Sequence, residues 1–207
     1  DRIGTRQTGG DWASRNWVAQ TFANLAAGLQ QGRRLTPQSK AYYSKAVAAY
    51  DTILAEAAAR PDFAPSERAL LAAKLRKAEC LRHLGQFRDS LTLFAELLGA
   101  KPNMLDAQMA AAKTYQERGM AEDAKWYRYA WMGGRKDRKT GKNRIWGWAK
   151  IAQISARYPQ YRNVFFDARY QLVWCRVAYA RRQKGPARGK YLRMAKGDIR
   201  YTVELYP

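Results

Sequence analysis

The chain has 207 residues, 47% of them hydrophobic, with 38 Lys and Arg against 17 acidic residues and a formal net charge of +21. So much apolar material excludes wholesale disorder, and Lys or Arg interrupts every apolar run before it reaches the length of a membrane span. A single histidine, His83, excludes multi-histidine metal sites and most histidine-based catalysis.

The chain opens Asp1-Arg2-Ile3-Gly4, without initiator Met or signal peptide, and reads as a processed or excised piece of a longer protein. No compartment is assigned on that basis. Residues 1–10 have no apolar period and are expected to form a flexible lead-in. Asp11 can cap a first helix to about Leu29, with Trp12, Val18, Phe22, Leu25 and Leu29 as its apolar stripe. Thr36-Pro37 starts a second helix, a capping hydroxyl followed by proline at the first helical position, with Tyr43, Ala46, Val47, Tyr50, Ile53 and Leu54 on one face. Ser66-Glu67 starts a third, ending at Gly85, and Phe87–Leu98 forms its return. Leu105–Arg118 and Ala121–Met132 follow. Gly133–Arg144 has no apolar residue and six basic ones against Asp137, so it reads as a mobile basic loop. The helical period resumes in Ile145–Arg157, Tyr161–Arg182 and Ala187–Tyr206, the last with Leu192, Ala195, Ile199 and Val203 expected inward. The reading is all-α with about nine helices.

Gly85 and Gly119 lie 34 residues apart, each between two apolar-periodic segments. The same shift carries Ala78 to Ala112, Leu81 to Tyr115, Ser90 to Ala124 and Leu97 to Trp131. A fixed period of that size marks a stacked helix–turn–helix unit. With Leu71 as the first position, Ala78, Leu81, Gly85, Phe87, Ser90, Phe94, Leu97 and Pro102 follow a pattern that resembles the tetratricopeptide repeat (TPR). Small Ala78 and Ser90 suit a close helix crossing, and Gly85 suits a tight turn. The copy from Leu105 keeps Ala112, Tyr115, Gly119, Ala124 and Trp131 but has Arg128 where an aromatic is expected. A partial unit precedes both, with Trp17, Gly28, Tyr43, Ala46, Tyr50 and Ile53.

The resemblance implies a right-handed superhelix of antiparallel helix pairs, an α-solenoid. Residues 11–132 would be TPR-like repeats, 133–144 a basic loop, and 145–207 a basic helical extension packed on the same solenoid. It also implies a peptide groove lined by Leu75, Glu79, Arg82 and His83 in one unit and by Met109, Lys113 and Gln116 in the next. The family's clamp of Lys and Asn around a C-terminal carboxylate is absent, since Leu75 and Glu79 occupy key positions.

Charge is uneven: from Gly133 onward there are 19 basic and 4 acidic residues, before it 19 and 13. Anion-binding candidates are therefore Arg135, Lys136, Arg138, Lys139, Lys142 and Arg144 in the loop and Arg188, Lys190, Arg193, Lys196 and Arg200 in the last helix. The loop lacks P-loop spacing and a preceding strand. Trp146, Trp148, Trp174, Tyr158 and Tyr161 interleave with basic residues, a pattern shared by base-stacking surfaces and by core aromatics covered with Arg stems. Cys80 and Cys175 fall inside apolar helical patterns and are expected as reduced core thiols. No nucleophile, base and oxyanion donor converge, and no cofactor is implied. The expected function is a non-enzymatic scaffold for another protein or peptide, acidic in character. Binding of nucleic acid or an anionic surface through the basic C-terminal third is the alternative, and a purely structural segment is the third reading.

Overall fold

The computed structural model describes residues 10–30, 32, 34–137, 141 and 143–205. Among these it holds nine α-helices and no strand: α1 Trp12–Gly28, α2 Pro37–Ala59, α3 Glu67–His83, α4 Phe87–Ala100, α5 Leu105–Ala121, α6 Lys125–Met132, α7 Trp148–Ser155, α8 Arg162–Arg181 and α9 Gly185–Leu205. A 3-10 turn at Pro159–Tyr161 leads into α8. No described helix is long and apolar enough to cross a membrane. The chain divides into two compact units, Asp1–Leu93 and Phe94–Pro207, and the division falls within α4.

The helix starts follow from their capping residues. The Asp11 carboxylate accepts from the Ser14 N–H at 2.8 Å, Thr36 Oγ1 from Ser39 N–H at 3.0 Å, and Ser66 Oγ from Ala69 N–H at 3.1 Å. Each cap stabilises its helix by about 1 kcal/mol. Gly85, at φ +77°, ends α3 in the left-handed conformation, and the Gln86 N–H reaches back to Leu81 C=O at 2.9 Å. The Ser90 hydroxyl donates to Ala78 C=O at 2.8 Å, and both residues are fully buried. Their small size lets α3 and α4 approach this closely.

In the first unit α2 packs against both α1 and α3. Tyr43, Ala46, Tyr50 and Ile53 fill the core from α2, against Ala19 and Ala26 of α1 and Ala73 and Cys80 of α3. The predicted stripe of α1 is corrected here: Val18, Leu25 and Leu29 are exposed, and Trp12, Ala19 and Ala26 turn inward. The large tyrosines of α2 need small side chains opposite them, so the alanine face wins over the aliphatic one. Trp12 meets Phe63 edge-on at 5.7 Å, and Arg15 and Arg60 both lie on Phe63 and pair with Glu56.

In the second unit α5 packs on α6 and α7, and α8 packs on α6, α7 and α9. Gly119, the period partner of Gly85, does a different job. It lies inside α5, where an added Cβ would sit 2.7 Å from Tyr127 Cδ1. The turn falls later, after Ala121. Two buried glutamines of α5 organise this unit. Gln108 donates to Pro102 C=O at 2.8 Å and Arg144 C=O at 3.0 Å, and accepts from Trp146 N–H at 2.7 Å. Gln116 accepts from the Trp148 indole N–H at 3.0 Å and donates to Gln171 Oε1 at 2.8 Å.

The last helix also departs from expectation. Only Ala195 of the predicted inward set is buried, while Leu192, Ile199 and Val203 are exposed by 39%, 52% and 61%. Asp198 sets the rotation instead, pairing with Arg169 and Arg176 of α8, while Arg169 Nε donates to Thr202 Oγ1 at 2.8 Å. Tyr191 adds an edge-on contact with Tyr179 at 4.7 Å.

Two substitutions check these assignments. Asp198→Ala leaves two largely buried guanidiniums facing each other, and should destabilise the chain by about 3 kcal/mol. Hydrogen exchange should then show α9 amides opening before those of α5. Gln108→Leu leaves three backbone groups without partners, and should lower the urea midpoint by an amount equivalent to about 2 kcal/mol.

Candidate functional site

The α3 residues expected to face a groove do not behave alike. Leu75 is 9% exposed and packs into the core. Glu79, Arg82 and His83 instead open onto one cleft of about 410 Å³, which they share with Arg76 and Cys80, with Gln20 and Asn24 of α1, and with Tyr43 and Tyr50 of α2. Helical spacing explains the convergence: 76, 79, 80 and 83 follow the i, i+3, i+4, i+7 rule on α3, and 20 and 24 are one turn apart on α1.

The cleft is polar and ordered. Arg82 is only 7% exposed, and its Nη2 lies 3.0 Å from His83 Nε2. A guanidinium has donors only, so in this contact His83 Nε2 is the acceptor. The His83 ring stacks on Tyr43, centroids 4.6 Å apart and planes 6° from parallel. Tyr43 Oη donates to Gln30 Oε1 at 3.2 Å. Glu79 pairs with Arg76 at 3.0 Å, beside the guanidinium of Arg82. The Tyr50 hydroxyl is fully buried and finds no hydrogen-bond partner among the described residues.

Cys80 shares the cleft with His83, yet the pair is not set up for nucleophilic chemistry. Burial pushes the Cys80 thiol up to about 12, and the His83 nitrogen is engaged by Arg82. Cys175 is also free and buried, with its thiol raised by desolvation. Among the described residues no group of His, Cys, Asp and Glu is placed to hold a metal ion.

The other predicted residues are placed elsewhere. Met109 is half-buried and Lys113 exposed on α5, both in the second unit. Gln116 is 5% exposed and spends both ends of its amide on Trp148 and Gln171. Arg135 and Lys136 are exposed, and Arg144 pairs with Asp137 at 3.1 Å. Arg138, Lys139 and Lys142 lie outside the described residues. Arg188, Lys190, Arg193, Lys196 and Arg200 are all exposed on α9. Of the aromatics, Trp148 is buried, Trp174 packs edge-on against Tyr127 at 5.7 Å, and Tyr158 and Tyr161 stay on the surface.

Sequence reasoning missed Gln20, Asn24, Tyr43, Tyr50 and Arg76 as cleft residues. The signal was the amide pair at positions 20 and 24 beside the alanine stripe 19, 23 and 26. Comparison with protein-family models, curated proteins and solved structures finds no match to this chain.

The buried thiols give the stability a defined pH dependence. Below the ordinary thiol value of 9.0 both folded and unfolded chains keep the proton. Above it the unfolded chain ionises first, because the folded Cys80 value is about 12. Stability should be full below pH 9 and should fall between about pH 9 and 12, by about 1.4 kcal/mol per pH unit per thiol. Urea midpoints measured across that window should show the fall, and Cys80→Ala should make it shallower by one thiol's share, with Cys175 and the desolvated Tyr50 and Tyr115 keeping the rest.

Proposed function

We propose that the chain is a non-enzymatic, TPR-like helical-repeat module that binds another protein through an acidic peptide segment laid in the α1–α3 cleft. The observation that carries this reading is the convergence of Arg82, Gln20, Asn24 and the buried Tyr50 hydroxyl on one cleft. An extended peptide presents alternating N–H and C=O groups. The amides of Gln20 and Asn24 can each donate and accept, so they suit that backbone. Carboxylates suit Arg82 and Arg76, and a buried hydroxyl gains a partner when a ligand enters. The TPR-like residues around Ala78, Gly85 and Ser90 supply the frame, and the expected right-handed superhelix of helix pairs belongs to this reading. The chain's net charge of +21 draws an acidic partner from a distance.

The test is fluorescence anisotropy with a labelled peptide of alternating Glu and Ala. Saturable binding is expected, weakened roughly tenfold by Arg82→Gln or by Asn24→Leu, the latter at an exposed position and with unchanged melting temperature. Equal affinity for both variants and the parent chain rejects the cleft as the binding site.

A second reading is favoured by the five exposed cations of α9, which suit a polyanion. Binding of single-stranded RNA would then weaken steeply with salt, since each phosphate contact releases counterions. Replacing Arg188, Lys190, Arg193, Lys196 and Arg200 by Gln would reduce that slope. A flat salt response, or no binding, removes this reading.

A further inference from the structure

A second cleft lies wholly within residues 94–207 and is independent of the α1–α3 cleft. Its volume is about 770 Å³, within the range of about 300–1,000 Å³ usual for ligand sites. Leu98, Pro102, Met132 and Trp146 give it apolar walls, and Arg144 and Lys150 stand among its lining residues as cations. Met132, at the end of α6, is 57% exposed.

The cleft is built rather than left over. One fully buried amide, Gln108, bonds Pro102 C=O on one side and both Arg144 C=O and Trp146 N–H on the other, so the two walls keep a set spacing. Asn143 Nδ2 donates to Met132 C=O at 3.1 Å, which fixes the end of α6 against the loop. The Gly134 N–H bonds Ile145 C=O at 2.9 Å, closing the base of that loop. Arg144 is held by Asp137 at 3.1 Å and extends over Gly99, where a Cβ would come within 3.7 Å of its Nη1.

We infer that this cleft receives an aromatic side chain from an acidic peptide segment of a partner protein, with flanking carboxylates drawn to Arg144 and Lys150. The thioether of Met132 and the ring of Trp146 favour an aromatic anchor, through sulfur–aromatic and ring–ring contact. A guanidinium beside the anchor adds a cation–π term. The surroundings match acidic flanks: among the described lining residues Arg144 and Lys150 stand against Asp137, which pairs with Arg144, so Lys150 is in surplus. A nucleobase fits less well, because its polar edge would lie against Leu98, Pro102 and Met132. An anionic lipid surface is flat and offers a concave cleft no protruding group.

The probe is a fluorescein-labelled peptide of Asp and Glu with one central phenylalanine, and its control has serine in that place. Anisotropy is measured at about 0.15 M salt, on the full chain and on the full chain carrying Arg82→Gln, so that the α1–α3 cleft is accounted for separately. The phenylalanine peptide should bind at least roughly tenfold more tightly than the serine control, and equally in both backgrounds. Met132→Gln and Lys150→Glu should each weaken it by roughly tenfold. Both side chains are exposed, so two independent variants stand even if one disturbs the loop. Equal binding of the two peptides overturns the inference, leaving charge attraction alone. So does indifference to both variants. Competition by oligouridylate with the same sensitivity to Met132→Gln also overturns it, by making the cleft a nucleic-acid site.

Discussion

Gln108 and Gln116 lie about two turns apart on α5, and their amides reach the α4–α5 turn, the basic loop, α7 and α8. Each glutamine side chain has one acceptor and one donor end, and both ends of both residues are used. Helices α7 and α8 have aromatic and aliphatic residues to bury, but apolar packing is tolerant of small rotations. A hydrogen bond to a named backbone group is not. The buried amides therefore specify which register the apolar surfaces adopt, because any other register leaves a buried donor or acceptor unpaired.

The same logic explains where the sequence was readable. Helix starts were legible because Asp11, Thr36-Pro37 and Ser66 satisfy local backbone donors, and local chemistry suffices to place them. The Ala78–Ser90 crossing and the Gly85 turn were legible for the same reason. The faces of α1 and α9 were not. An apolar stripe in sequence says only that a face is apolar. Which face turns inward was decided by Tyr43 and Tyr50 on a neighbouring helix for α1, and by Arg169 and Arg176 on α8 for α9. Those are long-range facts. The candidate cleft was half legible: Glu79, Arg82 and His83 were implied by the resemblance to the repeat, while Gln20 and Asn24 enter only when α1 is folded against α2 and α3.

Gly85 and Gly119 show how far a period can be trusted. They are equivalent in sequence, yet one is a left-handed helix terminus and the other a gap for the ring of Tyr127. A period preserves a requirement for smallness without preserving its cause. Leu75 and Gln116, both assigned to the groove by register, are likewise drawn into packing and hydrogen bonding. Register identifies which residues share a face. It does not establish that the face is open.

The two clefts differ in what they ask of a ligand. The α1–α3 cleft is lined by groups that pair with a peptide backbone or a carboxylate, and its Arg82 is nearly buried, where a matched carboxylate is worth more and a mismatched group costs more. The cleft beside the loop has apolar walls and exposed cations, so burial supplies the affinity and charge the attraction. Both lie next to departures from a regular repeat. The first depends on α1, separated from α2 by the interruption after Gly28. The second is bordered by Arg144 and Trp146, whose backbone Gln108 fastens. Gln108 ties residues 144–146 to the core, and Arg144 and Trp146 there line a defined cleft.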